Sequence, residues 1–187
     1  MTRTSWSFYA SAYTYILPDE ADYLQPTFLA DRGSLHLEAR YNYEDLETVS
    51  LRIGYNMSTG DDPSLAVTAM LGGVFGQTSG IAPGYRMTLA WGIATFDTEG
   101  EYLFDAETMD DSFFYSWSEL TAAPVDWMTA GLVMQRTRAN MGPREFQRGF
   151  LLGVAFERVD LTGYLFNPDD ADPTWVVAVG VGFGAIQ

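Results

Sequence analysis

Polar and apolar side chains alternate along most of this chain, and the alternation is cleanest between 34 and 57. There Leu35, Leu37, Ala39, Tyr41 and Tyr43 occupy one register, and His36, Glu38, Arg40, Asn42 and Glu44 occupy the other. After a short acidic turn the pattern repeats. Val49, Leu51, Ile53, Tyr55 and Met57 stand against Ser50, Arg52, Gly54 and Asn56. Successive side chains of a strand point to opposite faces, so the stretch predicts a hairpin with one apolar and one polar face.

The same reading extends in both directions. It predicts strands near 4–17, 22–31, 64–76, 85–96, 101–105, 112–122, 127–138, 146–157, 160–166 and 174–183 around the hairpin. A turn at 97–100 separates the sixth strand from a short seventh. Strands 1 and 8 carry aromatics on both registers, so their facing stays open. Nothing repeats with a period of 3.6, and no linker or low-complexity segment interrupts the series. The expectation is a single all-β domain over 1–187: a closed antiparallel up-and-down barrel of about 12 strands, with ten as the nearest alternative count.

Loop lengths give the barrel two different ends. Connections after odd strands (18–22, 44–47, 77–84, 105–111, 139–145 and 167–173) are mostly longer than those after even strands (31–33, 58–63, 97–100, 122–126 and 157–160). An even strand count puts all odd connections at one rim, and outer-membrane barrels show long loops at one rim with short turns at the other. The net charge of −15 divides accordingly. By this partition the odd loops carry −13, the even turns −6 and the strands +4. Such a balance argues against nucleic acid as a partner. It leaves arginine and glutamate to pair along the strands.

Composition narrows the chemistry further. The chain has no Cys, which excludes disulfides, thiolate metal sites and thiol nucleophiles. All ten basic residues are Arg, suited to planar multi-donor contacts. No apolar run reaches the roughly 20 residues of a membrane helix. The first residues do not read as a signal peptide, so an exported protein is expected here in mature form with an added Met.

The final strand carries a resemblance. Trp175, Val177, Val179, Val181 and Phe183 alternate with Val176, Ala178, Gly180 and Gly182. This is similar to the last strand of bacterial outer-membrane β-barrels, although the chain continues for four residues past Phe183. The resemblance implies a transmembrane barrel in the bacterial outer membrane. Its partners would be the lipid bilayer (or detergent) and the barrel-assembly machinery, which reads a terminal aromatic. The apolar register then meets lipid and the polar register lines the lumen.

On that architecture Glu38, Arg40, Asn42, Arg52, Asn56, Arg86, Glu101 and Glu119 are the candidate pore-lining residues. They fit a small passive pore for ions or small solutes, with an acidic rim. The bland reading is that these charges neutralise one another inside a plugged, structural barrel. Twelve strands lie between the filled interior of eight and the aqueous channel of sixteen.

A soluble lipocalin-like barrel would bury the apolar register instead. The small residues of the polar register, Gly54, Gly72, Gly92, Gly131, Gly149, Gly153 and Gly180, argue for a crowded wet interior. His36, the lone histidine, would be the base of an outer-membrane hydrolase only with a serine in reach. No nucleophile elbow accompanies it, and no enzyme activity or cofactor is expected. Two acidic clusters (Asp105, Glu107, Asp110, Asp111 and Asp169, Asp170, Asp172) have the ligand type for a hard cation but no matching spacing, so solvated rim charge is the expectation. Trp6, Tyr43, Tyr85, Phe104, Trp127, Phe146, Phe166 and Trp175 fall near strand ends, where an interfacial belt would lie.

Overall fold

The computed structural model describes residues 5–18, 20–139 and 144–184, and the side chains of all of these except Ala139 and Arg144. Twelve strands account for most of it: β1 (Ser7–Ile16), β2 (Tyr23–Arg32), β3 (Leu35–Tyr41), β4 (Val49–Thr59), β5 (Ser64–Phe75), β6 (Gly80–Trp91), β7 (Ala94–Asp105), β8 (Phe113–Val125), β9 (Met128–Ala139), β10 (Arg144–Phe156), β11 (Val159–Phe166) and β12 (Thr174–Gly184). Each pairs antiparallel with its sequence neighbour, and β1 pairs with β12 from Ser7↔Gly184 to Ile16↔Trp175. The sheet is therefore closed and leaves no free edge to template aggregation. One 3-10 turn, Met109–Asp111, interrupts the β7–β8 loop. Among the described residues no helix is long and apolar enough to cross a membrane, which says nothing about crossing by strands.

The facing follows the sequence register. Leu51, Ile53 and Tyr55 are each 58% exposed on the outside, while Ser50 and Arg52 beside them are at most 4% exposed. The two strands left open now have a side. β1 turns Tyr9, Ser11, Tyr13 and Tyr15 inward, and β8 turns Tyr115, Trp117 and Glu119 inward, so these residues line one internal cavity. The connections after even strands are tight, and both described chain ends lie at their rim. The longer loops occupy the other rim.

The structure corrects three connections. The β6–β7 turn sits at Gly92–Ile93, not at 97–100, and β7 is a full strand of twelve residues. Gly92, at φ 56, supplies the left-handed conformation that a two-residue hairpin demands of its first turn residue. Asp97, Glu99 and Glu101 then continue one inward register, which an acidic, glycine-containing segment had disguised as a turn. The connection expected at 77–84 shrinks correspondingly, because β6 begins at Gly80. The turn expected at 122–126 is likewise narrower: β8 runs through Pro124 to Val125, across a register shift between Ala122 and Val125.

The charge partition changes with them. Asp97 and Glu99 belong to the wall rather than to the short-turn rim, and Glu44 is withdrawn from the long-loop rim into the lumen.

The aromatic belt loses three members. Phe166 is fully buried inside the barrel, and Tyr43 turns inward with it. Tyr85 lies mid-strand on the outer wall, its ring over Gly100. Phe104, Trp127, Phe146 and Trp175 do project outward near strand ends.

Candidate functional site: the lumen

Strands β3 to β7 place acids and bases on neighbouring inward positions. Glu38 stands directly opposite Arg52, and Arg86 opposite Glu99. Arg40 Nε donates to Glu38, and the other guanidinium nitrogens lie 3.6 Å from Glu99 and 3.7 Å from Glu101. Arg52 Nη2 donates to Glu44 at 2.5 Å and also contacts Glu101. Arg86 donates to Glu99 at 2.9 and 3.2 Å and reaches Glu38 at 3.2 Å.

Thus three arginines share four glutamates. The side chains of Arg40, Arg52, Glu38, Glu44 and Glu101 are almost entirely withdrawn from solvent. A charge so placed is tolerable only with its partners, because desolvation alone costs several kcal/mol per ion.

Small residues make room for the cluster. A Cβ on Gly72 would come within 2.8 Å of the Arg52 side chain, so glycine here is a packing requirement.

A loop completes it. Residues 42–48 fold over the long-loop end, held by Asn42. Its backbone N–H donates to Thr48 O (2.9 Å), its amide nitrogen donates to Leu24 O (2.9 Å), and its Oδ1 accepts from Glu47 N (2.8 Å). Thr78 Oγ1 donates to Asp45 Oδ2 at 2.9 Å and ties the loop to the next connection. So anchored, the loop aims Tyr43 and Glu44 into the barrel. The Tyr43 hydroxyl donates to Glu99, its ring lies 3.8 Å from the Arg40 guanidinium, and it meets Tyr115 edge-on at 5.3 Å. Burial pushes the Tyr43 phenol well above the usual phenol range, so it remains a neutral donor.

The opposite wall is of another kind. β1 and β8 to β12 contribute Tyr15, Trp117, Val133, Leu151, Tyr164, Phe166, Val176 and Ala178 to one buried cluster. Trp117 meets Tyr164 and Phe166 edge-on, each at 5.3 Å. Trp117 Nε1 donates to Glu119 at 2.7 Å, and the Tyr9 hydroxyl donates to Asp160 at 3.0 Å, so this wall too engages carboxylates. Val74, Ala82 and Leu103 form a second buried apolar group near the same end of the barrel as Phe166 and Val176.

Between the two walls lies a cavity of about 370 Å³, lined by Tyr9, Tyr13, Thr27, Arg40, Arg86, Asp97, Glu99, Trp117 and Glu119 among others. Tyr9 also lines a wider mouth of about 670 Å³ at the short-turn rim, beside Asp31, Asn56 and Asp160. The lumen thus opens toward the short turns and narrows toward the long loops.

Seven of the eight sequence-chosen residues face this interior. Glu38, Arg40, Arg52, Arg86 and Glu101 form the cluster, and Glu119 lines the cavity. Asn56 lies at the mouth, where it donates to Asp31 at 2.7 Å. Asn42 stands beyond the end of β3 and anchors the loop instead. His36 is hydrogen-bonded on both sides, Nδ1 to Asp31 at 2.8 Å and Nε2 to Glu38 at 3.2 Å, and neither contact is a serine.

Sequence reasoning missed Glu99, Asp97, Tyr43 and Glu44. The first two were hidden by the misplaced turn, Tyr43 by its place on the outward register and in the expected belt, and Glu44 by its assignment to the 44–47 connection at the rim. Continuing the odd-numbered register from Asp97 to Glu101 would have found the first two. Among the described residues no three His, Asp or Glu side chains converge as metal ligands would.

Neither a protein-family model nor a curated protein sequence matches the chain. Solved structures do. A KdgM porin is 8% identical over 94% of this chain and 99% of that one, with a TM-score of 0.65. A KdgM porin in complex with disordered oligogalacturonate is 9% identical over 95% and 99%, with a TM-score of 0.64. The outer membrane protein Omp33 of Acinetobacter baumannii is 9% identical over 97% and 99%, with a TM-score of 0.52. At such identities the likeness is one of fold. The twelve-strand fold is that of the bacterial outer-membrane β-barrels it resembles, and the outward apolar face excludes the soluble lipocalin-like arrangement.

Proposed function

We propose that this chain is a narrow channel of the bacterial outer membrane that passes small solutes and prefers cations. The observation that carries the reading is the carboxylate-rich cavity enclosed by a barrel whose outer face is apolar. Asp97, Glu99 and Glu119 border the cavity against Arg40 and Arg86, and Asp31 and Asp160 add negative charge at the mouth. A low-dielectric wall focuses the field of such charges along the lumen and favours counter-ions of the opposite sign. Exposed acids on the long loops, among them Glu20, Asp45, Glu107 and Asp170, support the same preference at the far rim.

The constriction lies at the long-loop end, where Tyr43 seals the cavity against Arg40 and Tyr115. One structural neighbour was solved with oligogalacturonate, a polyanion. The carboxylate excess of this lumen is the reverse of what a polyanion needs, so small cations and uncharged solutes are the proposed cargo.

Planar-bilayer recording tests this. Small ohmic steps are expected, with a reversal potential in a KCl gradient that shows cation preference, and Tyr43→Ala should enlarge the steps. Silent membranes from both chains, despite verified insertion, would establish a plugged structural barrel instead.

A further inference from the structure

The outer wall is not uniform. On β3, β4 and β5 the outward register is apolar except for Thr59 at the end of β4. Across β7 to β10 it is not, and the cross-strand pairing shows where it changes. Phe96, Leu120, Leu132 and Phe150 form one outward row. The next row toward the long loops reads Thr98, Ser118, Met134, Arg148. Beyond it stand Gly100, Ser116, Arg136 and Phe146, and then Tyr102, Phe114 and Arg138. The apolar band is therefore cut short on this side and replaced by small polar residues flanked by arginines.

Four of the chain's ten arginines fall between 136 and 148. The other described arginines lie in the lumen or at the short-turn rim. Arg148 donates to Asp169 at 2.7 Å in an exposed pair. Among the described residues neither Arg136 nor Arg138 makes an ion pair, although carboxylates crowd the same rim.

A groove of about 370 Å³ lies in this outer surface, walled by Phe96, Leu120, Leu132, Met134 and Phe150 and capped by Arg148 and Pro168. β10 extends five residues above its pairing with β11, which begins at Gly149↔Phe166. Arg148 thus stands level with the start of the 167–173 loop, at the local edge of the wall rather than deep in it.

We propose that this groove binds a phosphate-bearing anionic lipid from the leaflet at the long-loop rim. One acyl chain lies along Leu120, Leu132 and Phe150, and the phosphate is held by Arg136, Arg138 and Arg148. The chemistry is complementary at both ends. Guanidinium groups match phosphate oxygens in bidentate geometry, and basic residues beside a membrane-embedded apolar surface bind anionic headgroups. Arginine on a lipid-facing register near the interface costs little, and an anionic headgroup gives it a partner. The proposal requires that the barrel stand in a membrane, and it does not depend on conduction.

Native mass spectrometry of the detergent-purified barrel, offered equal phosphatidylglycerol and phosphatidylcholine, tests it. The wild type should retain phosphatidylglycerol preferentially. The variant R136Q/R138Q/R148Q should lose that preference, by on the order of fivefold per arginine. Leu132→Trp, which fills the groove without altering charge, should reduce retention of both lipids. R158Q, at the opposite rim, serves as the control and should retain wild-type preference. Heat-modifiable gel mobility would establish that each variant is folded. An unchanged preference in the folded triple variant, or equal loss in R158Q, would overturn the proposal. So would displacement of the bound lipid by millimolar inorganic phosphate, which would mean that the arginines hold a free anion only.

Discussion

The two inner walls of the barrel share one backbone pattern and opposite chemistry. β3 to β7 present Glu38, Arg40, Arg52, Arg86, Glu99 and Glu101. β1 and β8 to β12 present Tyr13, Tyr15, Trp117, Tyr164, Phe166 and Val176. Alternation fixes which side chains turn inward and says nothing about what they do there. The charged wall is held by partners, so each member depends on specific others. The aromatic wall is held by shape and dispersion, so its members depend on volume. Segregating the two leaves a cavity along the seam, where Arg86 and Glu99 keep part of their exposure while Arg40 and Arg52 lose nearly all of theirs.

The sharpest way to break this contrast is to unbalance the charged wall. Arg52→Ala strands Glu44 without a cation and leaves Glu101 only Arg40, 3.7 Å away, and should cost about 3–5 kcal/mol. The cost would be read from the urea unfolding midpoint in lipid vesicles. Adding Glu101→Gln should recover part of that loss, a coupling that a purely steric role would not give.

Phe166→Ala is the matching injury to the aromatic wall. A cavity there should cost about 3 kcal/mol, and no charge substitution across the lumen should restore it. Gly72→Ala probes the fit between glycine and guanidinium. Its Cβ meets Arg52 at 2.8 Å, and the crowding should cost about 1–3 kcal/mol by the same measurement. Asp169→Asn lies outside both walls. It removes a solvated partner of Arg148 and should shift stability by less than about 1 kcal/mol.

The legible part of this molecule was the part that alternation controls. Strand count, closure, facing and most of the lumen charges follow from period two and from turn residues such as Gly33 and Gly60. The illegible part depends on contacts between distant strands. Asp97, Glu99 and Gly100 are turn-formers by composition, yet they form the middle of β7 because Arg86 and Tyr85 on β6 receive them. Tyr43 and Glu44 belong locally to a loop. They enter the lumen because Asn42 is tied to Leu24 on a strand 18 residues earlier, and because Arg40, Arg52 and Glu99 wait inside. Phe166 is a strand-end aromatic, like Trp175 and Trp127, and only the register of β11 against β10 sends it inward.

Lumen and channel both depend on which register meets hydrocarbon, and a pair of single-cysteine variants measures that directly. The chain has no native cysteine to interfere. Leu51 is 58% exposed on the outer wall, and Thr27 lines the lumenal cavity. In vesicles, a fluorophore on Leu51→Cys should be quenched by lipid-borne nitroxide and spared by an aqueous quencher. A small fluorophore on Thr27→Cys should show the reverse. Aqueous quenching at position 51 together with lipid quenching at position 27 would contradict the outward apolar face, and with it the channel.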